Sequence, residues 1–328
     1  MKRLLTGIQP TGEMHIGNYI GAARQWVALQ HSYNCLFMVA DLHALTTPQD
    51  PHELSKATVN KVVELLSVGL DPDKCTLFIQ SHVPEHTELA WIFNTITPIA
   101  ELERMTQFKD KSQKNIKNIN AGLLDYPVLM TADILLYKTE AVPVGEDQAQ
   151  HLELTRLIAK KFNATFGETF AEPEAIIPKE GARIMSLLDP KKKMSKSDKP
   201  DTYISLFDSP EAIRKKIAKA TTDARTDIVF SPLKKPGISN LLTIYSAFGK
   251  TPIKEIERYY KEKNYAAFKH DLSELLILEL EPMRRKKQSL ENRELYLKEI
   301  LKHGSKKASS VAKTTMEEVR SKVGLYTI

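Results

Sequence analysis

Short apolar runs alternate with helical patterns in the first part of the chain. Residues 4–8, 35–41 and 76–80 are apolar runs bounded by polar or turn residues, a pattern typical of buried strands. Between these runs, residues 17–30 and 52–68 carry apolar side chains every three or four positions, which predicts amphipathic helices. Strands that alternate with helices predict a parallel sheet joined by crossover helices.

The pattern changes after about residue 206. Before it, residues 123–145 predict a helix followed by a short strand, and residues 148–167 predict a long amphipathic helix. After it, strand patterns are few, and amphipathic helices are predicted at residues 210–219, 241–248, 253–260 and 272–301. We therefore predict an α/β fold, with a doubly wound parallel sheet in a domain of residues 1–206 and an α-helical domain of residues 207–328.

The composition is that of a globular protein in a reducing compartment. The 328 residues fit about two domains. Cys35 and Cys75 lie forty positions apart without a CxxC pair, so neither a disulfide framework nor a cysteine-based zinc site is expected. The basic N-terminus lacks the apolar segment of a signal peptide, and no run of apolar residues is long enough to span a bilayer. We expect a cytoplasmic protein with no membrane partner.

Positive charge is concentrated in the second domain. Residues 207–328 contain 25 Lys and Arg against 16 Asp and Glu, a net charge of +9, whereas residues 1–206 have a net charge of −3. A basic excess on one domain is what a phosphate-binding surface requires, because neutralising phosphates releases counterions. A solvated lysine-rich helical surface would give the same count, so charge alone leaves both interpretations open.

The segment of residues 7–22, GIQPTGEMHIGNYIGA, lies between the first predicted strand and the first long helix. This is where α/β proteins bind ligands, outside the carboxyl ends of their strands. Gly7 and Gly12 have the spacing of a phosphate-binding P-loop, but Glu13 stands where that motif needs Lys, and no GxGxxG is present. The segment therefore predicts a nucleotide site that is neither of the Walker type nor of the dinucleotide type.

His15 and Asn18 lie three positions apart at the predicted helix start, so they share one face of the first turn. Free backbone N–H groups and the helix dipole favour an anion at that place. A histidine at a helix start can also be purely structural, as a capping residue.

A second polar motif, KMSKS, occupies residues 193–197 within the lysine-rich segment 189–201, which we predict to be an exposed loop. Its flexible ammonium groups, Lys193 and Lys196, can follow a pyrophosphate as charge develops during nucleotidyl transfer. A lone basic run would be read as a solvated loop. The presence of HIGN about 175 residues earlier changes that interpretation.

HIGN and KMSKS together resemble the signatures of the class I aminoacyl-tRNA synthetases, HIGH and KMSKS. More narrowly, four segments are similar to the bacterial tryptophanyl-tRNA synthetases: PTGEMHIGN, TADILLY at residues 131–137, VPVGEDQAQHLELTR at 142–156 and GARIMSLLDPKKKMSKS at 181–197. Asn18 departs from the second histidine of the wider class and matches the narrower family. The resemblance implies a Rossmann-like catalytic domain, a helical anticodon-binding domain and a tryptophan–tRNA ligase activity.

The resemblance also implies the site residues. Asp133 would accept the indole N–H of tryptophan inside an otherwise apolar pocket. The pocket would be lined or oriented by Tyr126, Met130, Val144, Gln148 and His43. Met130 and Val144 could equally be plain core.

The catalytic residues implied are His15, Asn18, Lys193 and Lys196, with Mg²⁺ carried by ATP rather than held by a protein metal site. ATP would be bound by Gln9, Pro10, Thr11, Gly17, Asn18, Gly145, Glu146, Asp147, Ile184, Lys193, Met194, Ser195, Lys196 and Ser197. Lys111 is a weaker phosphate candidate. The string HxxEH at residues 82–86 resembles a zinc signature, but Pro84 interrupts the helix that it needs.

The expected partners are ATP, L-tryptophan and tRNA(Trp), and the resemblance implies a homodimer. Three alternatives remain open. A tyrosyl-tRNA synthetase would share the fold and differ around Asp133. A small-molecule adenylating ligase would not explain the basic helical domain, and a catalytically silent RNA-binding relative would have little reason to retain both HIGN and KMSKS.

Overall fold

The computed structural model describes residues 1–114, 119–145, 148–177, 183–196, 198–223, 225 and 227–326, without the side chains of residues 110, 111 and 114. Within these ranges, five strands form one parallel sheet in the order β3-β2-β1-β4-β5. The strands are β1 (Arg3–Ile8), β2 (Asn34–Val39), β3 (Thr76–Ile79), β4 (Ala141–Pro143) and β5 (Glu174–Ile176). The chain fills one half of the sheet and then the other, so the predicted doubly wound α/β fold is confirmed.

Helices cover both faces of the sheet and form most of the other regular structure in the described chain. A π-helical turn at Tyr19–Ala23 joins the first two helices into one continuous element. The helices are α1 (Ile16–Asn18), α2 (Arg24–Leu29), α3 (Asp41–Ala44), α4 (Pro51–Ser67), α5 (Glu85–Asn94), α6 (Ile99–Glu103), α7 (Thr106–Lys114), α8 (Ala121–Leu136), α9 (Ala149–Phe166), α10 (Pro210–Lys219), α11 (Pro236–Gly249), α12 (Ile253–Tyr259), α13 (Tyr265–Glu291) and α14 (Glu294–Lys322). No helix in the described ranges could cross a bilayer.

Alternate residues of the strands enter two separate apolar cores, because successive side chains of a strand point to opposite faces. Leu4 and Phe37 belong to the core shared with α2, α4 and the helices after residue 206. Leu5 and Phe78 belong to the core shared with α5, α8, α9 and α14. Burial on both faces explains why the first three strands are continuous apolar runs.

The sequence patterns missed one strand and merged two helices. β5 is a three-residue edge strand with exposed side chains beside Pro173, so it has no apolar run to detect. The helix predicted over residues 272–301 is wrong as a single element, because the chain turns at Asn292 and Arg293 between α13 and α14. Neither residue is a helix breaker by sequence; the turn lets α14 return to the sheet.

The last helix, α14, lies along β3, and α13 contacts α4, so the helical part packs against the sheet domain. The domain boundary after residue 206 stays a prediction. The close approach of α14 depends on Gly304, since a Cβ at this position would lie 1.8 Å from the Leu77 carbonyl oxygen.

Gly304→Ala is therefore expected to lower the free energy of unfolding by about 1–3 kcal/mol, the usual cost of overpacking. Urea denaturation measures this change. Gly21→Ala is the matched control, because a Cβ at this helical glycine meets nothing within 4 Å. An equal effect of both substitutions would contradict the close-packing argument.

Candidate active site

A cavity of about 360 Å³ opens where the order of the strands reverses, between the carboxyl ends of β1 and β4. Ligands of open α/β sheets bind at this switch point. Gly7 and Gln9 line the cavity from the end of β1, and Val144 and Gly145 line it from the end of β4. Helix α8 supplies Tyr126, Met130 and Asp133.

Asp133 is the one carboxylate among the residues described as lining this cavity, and it is 2% exposed. Its Oδ2 lies 2.7 Å from His43 Nε2, and its Oδ1 accepts a hydrogen bond from Gln80 Nε2 at 2.8 Å. His86 Nδ1 lies 2.7 Å from the same Oδ1. Burial by itself would raise the pKa of Asp133, but the contacts with His43 and His86 outweigh it and hold the pKa below its usual value.

His43 and Gln80 hydrogen-bond to the Asp133 carboxylate and His86 Nδ1 lies against its Oδ1, so at least one of its four acceptor positions remains for a ligand. Because the residue also lines the cavity, a ligand N–H can take that position. An apolar ligand that offers no donor would leave it unpaired, which is costly in a buried site.

The structure brings together all the residues predicted for the tryptophan pocket. Every one of them lines the cavity: His43, Tyr126, Met130, Asp133, Val144 and Gln148. The Tyr126 hydroxyl donates to Gln107 Oε1 at 3.3 Å and lies 3.0 Å from His151 Nε2, which fixes the orientation of its ring. The cavity thus combines an apolar lining with one buried acceptor.

His15 and Asn18 cap the helix that begins at Ile16. The Asn18 backbone N–H donates to His15 Nδ1 at 3.2 Å, and the His15 backbone N–H donates to Asn18 Oδ1 at 3.2 Å. Because Nδ1 accepts, the neutral imidazole carries its proton on Nε2. Burial first, and then the charges of Lys196, Lys193 and Lys61, lower the pKa of His15 to about 4. At neutral pH this side chain is an uncharged N–H donor.

The KMSKS segment lies against the loop before HIGN. At Gly12, which has a φ of +64°, a Cβ would lie 2.8 Å from Lys196 Cδ. Met194 N–H donates to the Ile184 carbonyl at 3.0 Å, and Lys193 forms an isolated bridge with Met185. The two motifs, 175 residues apart in sequence, are neighbours in the fold.

Residues 189–201 are predicted to be an exposed loop, and among the described residues of this range Met194 is the buried exception. Met194 is 3% exposed and belongs to an apolar core, while Lys193 is exposed and Lys196 is half-buried. Burial of this apolar side chain anchors the segment, and the charges of Lys193 and Lys196 act on His15.

Some of the predicted ATP residues line the cavity, and others lie in the loops that carry the HIGN and KMSKS motifs. Gln9 and Gly145 line the cavity, whereas Gly17 packs near Ile184, 3.5 Å from the position that its Cβ would take. Pro10 is buried, and Thr11 and Ser195 are half-buried in the two loops. The remaining candidates, Glu146, Asp147, Ser197 and the Lys111 side chain, lie outside the described residues.

Comparisons with known proteins show which family the chain belongs to. Residues 1–281 match the family described as tRNA synthetases class I (W and Y). The chain is 52% identical over 326 residues to a tryptophan–tRNA ligase of Caldanaerobacter subterraneus, covering 99% of both chains. The chain belongs to the bacterial tryptophanyl-tRNA synthetases. The predicted family, fold class and enzyme class are thereby confirmed.

Solved structures of tryptophanyl-tRNA synthetases resemble the whole chain. The enzyme of Mycoplasma pneumoniae has a TM-score of 0.89 and 38% identity, covering 99% of this chain and 98% of that one. The enzyme of Campylobacter jejuni, solved with ADP and tryptophan, has a TM-score of 0.87 and 37% identity, covering 98% and 100%.

A buried ion pair under the HIGN loop of this synthetase was not predicted. Lys61 is 1% exposed, pairs with Glu64 one turn along α4, and donates to the Gly12 carbonyl at 2.8 Å. Glu64 Oε2 accepts the Met14 backbone N–H at 3.3 Å. This ion pair holds the loop around Gly12, against which the Lys196 side chain packs. The signal in the sequence that could have revealed this ion pair was the presence of two charged residues on the buried face of an amphipathic helix.

Gln80 and His86 also belong to the site and were missed. Gln80 follows β3 directly, at the carboxyl edge of the sheet where polar residues are expected to serve a ligand. His86 was considered only as part of the HxxEH string. The structure instead places Pro84 at the start of α5, so that His86 in its first turn reaches Asp133.

The environment of Lys196 predicts how the activity of the synthetase depends on pH. Burial and the neighbouring Lys61 charge lower the pKa of Lys196 to about 8, against the opposing charge of Glu64. The predicted role of Lys196 in binding phosphate requires the ammonium form, so kcat/KM for ATP is expected to decrease as pH rises through about 8. Pyrophosphate exchange measured from pH 6.5 to 10 checks this, and Lys196→Arg should move the decrease to higher pH.

Proposed function

We propose that this protein activates L-tryptophan with ATP and then transfers the tryptophanyl group to tRNA(Trp). A tryptophan carboxylate oxygen attacks the α-phosphorus in line, forming tryptophanyl-adenylate and releasing pyrophosphate. The terminal adenosine hydroxyl of the tRNA then attacks the acyl carbon and releases AMP. The observation that carries this proposal is a buried Asp133 carboxylate, in contact with His43 and His86, in an apolar cavity at the switch point of the sheet.

Each side chain near the phosphates has a defined part in the first step. His15 offers its Nε2–H as a neutral donor, and Lys193 and Lys196 stabilise the charge that develops on the departing pyrophosphate. Asn18 fixes the ring of His15 through the reciprocal cap. Positioning and electrostatics suffice, so no covalent enzyme intermediate is needed.

We propose that the remaining ATP-binding residues serve the nucleotide where the two loops meet. Gln9 and Gly145 line the cavity, and Gly17 of the HIGN motif packs beside Ile184. Magnesium enters as part of the MgATP substrate, held by the triphosphate oxygens, because Mg²⁺ in nucleotide sites is bound largely through substrate phosphates. It neutralises charge on those oxygens.

The tRNA and a second protomer complete the proposal. The net charge of +9 after residue 206 supports tRNA binding by the helical part.

Trp91 is 71% exposed and Ile99 is 64% exposed, and large exposed apolar side chains of this kind support a homodimer contact. The substrates and the reduced, buried Cys35 and Cys75 suit a cytoplasmic enzyme.

Exchange of labelled pyrophosphate into ATP tests the proposal, run without tRNA and in parallel with tryptophan, tyrosine and phenylalanine. Exchange with tryptophan alone is the expected result. Exchange with tyrosine would keep the adenylation chemistry and overturn the role of Asp133. No exchange with any of the three would overturn the enzymatic function.

A further inference from the structure

A buried polar chain runs from Asp133 away from the cavity. His86 Nδ1 lies 2.7 Å from Asp133 Oδ1, and His86 Nε2 lies 2.8 Å from the Tyr137 hydroxyl. His86 and Tyr137 are both 0% exposed, and neither lines the cavity. Any effect of these two side chains on a ligand must therefore pass through Asp133.

We propose that His86, oriented by the Tyr137 hydroxyl, is a positioning residue that fixes the Asp133 carboxylate for recognition of an indole N–H. The inference rests on the proposed function, in which Asp133 accepts that N–H. It assigns a specificity role to two side chains that do not touch the substrate.

The geometry determines which ring nitrogen of His86 carries the proton. Two acceptors facing each other at 2.7 Å would repel, so Nδ1 must carry a hydrogen toward the Asp133 carboxylate. In the neutral ring Nε2 is then an acceptor, and the Tyr137 hydroxyl donates to it. Burial raises the pKa of Tyr137, which keeps this hydroxyl protonated. Without that donor, Nε2 would be left unpaired, and one of the two contacts that fix the tautomer and orientation of the ring would be lost.

Packing holds the chain in place. Phe78 of β3 stacks on the His86 ring with centroids 6.1 Å apart, and it meets the Tyr137 ring edge-on at 5.6 Å. The contact between His86 Nδ1 and Asp133 Oδ1 is close but lacks regular hydrogen-bond geometry, so it acts through the dipole of the neutral ring. His43 and Gln80 hold the carboxylate from other directions. Together the donors define one orientation of the carboxylate.

A purely structural role does not account for this arrangement. Three aromatic rings could fill the same volume without burying a hydroxyl and an imidazole, which costs free energy unless both are paired. His86 and Tyr137 form this pair next to Asp133, the single carboxylate among the residues described as lining the cavity. Asp133 is also the residue that the proposed substrate must contact. We therefore expect its loss to alter discrimination and not only stability.

Tyr137→Phe tests the inference, because it removes one hydroxyl and retains the ring. The measured quantity is the ratio of kcat/KM for tryptophan to kcat/KM for 3-(benzothien-3-yl)alanine, in which sulfur replaces the indole N–H. We expect the ratio to fall by about tenfold, the equivalent of one weakened hydrogen bond. The loss should lie in KM for tryptophan, while KM for ATP stays unchanged.

Tyr260→Phe is the matched control. Tyr260 is 1% exposed, and its hydroxyl donates to Asp271 Oδ2 at 2.7 Å in the helical part, so the chemical change is the same away from the cavity. If both variants lose similar stability and both keep the wild-type ratio, His86 and Tyr137 are structural and the inference is overturned. A wild-type protein that does not discriminate between the two amino acids would overturn the role of Asp133 itself.

A second measurement needs no variant. The ¹⁵N resonances of the His86 ring in the wild-type protein report its tautomer directly. Protonated Nδ1 with unprotonated Nε2 is the expected result. The opposite tautomer would place a lone pair against the Asp133 carboxylate and would overturn the inference, even if Tyr137→Phe failed to fold.

Discussion

Lys196→Ala is expected to lower the rate of tryptophanyl-adenylate formation by about 10²- to 10³-fold, the usual cost of removing one donor from a developing negative charge. Lys196 is half-buried against Gly12, so its ammonium group is held close to the HIGN loop. Tryptophan affinity should hardly change, because Lys196 is not among the residues that line the cavity.

Single-turnover adenylation and equilibrium tryptophan binding together measure this effect. Lys199→Ala is the control, since Lys199 is an exposed lysine of the same segment outside the motif. It should behave as the wild type does. Unchanged pyrophosphate exchange in Lys196→Ala would refute the assignment of the KMSKS motif to pyrophosphate release.

Asp133→Ala is expected to abolish most of the discrimination between tryptophan and an analogue without the indole N–H. A site that pairs a buried polar group with its substrate rejects the unpaired analogue by about 10⁴-fold or more. The variant has no acceptor to leave unpaired, so the ratio of kcat/KM values for the two amino acids should fall toward that of an apolar pocket.

Steady-state pyrophosphate exchange with tryptophan and 3-(benzothien-3-yl)alanine gives this ratio directly. Met130→Leu is the control, because Met130 lines the same cavity and the change nearly conserves volume. It should change KM for both amino acids by similar factors and leave the ratio in place. A wild-type ratio retained in Asp133→Ala would exclude Asp133 as the indole acceptor.

Much of the site was predictable because its residues are grouped in continuous motifs. HIGN and KMSKS were recognised as strings, and the tryptophan pocket residues Asp133 and Val144 lie in two further strings of the same family. Their chemistry could be argued from residue type alone. A buried carboxylate in an apolar pocket needs a donor, and flexible lysines suit a pyrophosphate.

The partners of those residues were not predictable, because they come from distant parts of the chain. Lys61 and Glu64 look like ordinary charges of an amphipathic helix until α4 is packed under the HIGN loop. His86 carries no signal beyond the misleading HxxEH string, since nothing in sequence brings it to Asp133. Short elements such as β5 likewise depend on neighbours for their backbone pairing.

The sequence by itself determined the family, the α/β class and the chemistry of the motifs, because apolar periodicity and contiguous strings are local properties. Only the tertiary structure decided which nitrogen of His15 carries the proton, how far Lys196 is buried and which donors hold Asp133. These features depend on contacts between residues far apart in the chain. Such contacts set burial and local charge, and burial and charge set the proton positions on which the chemistry depends.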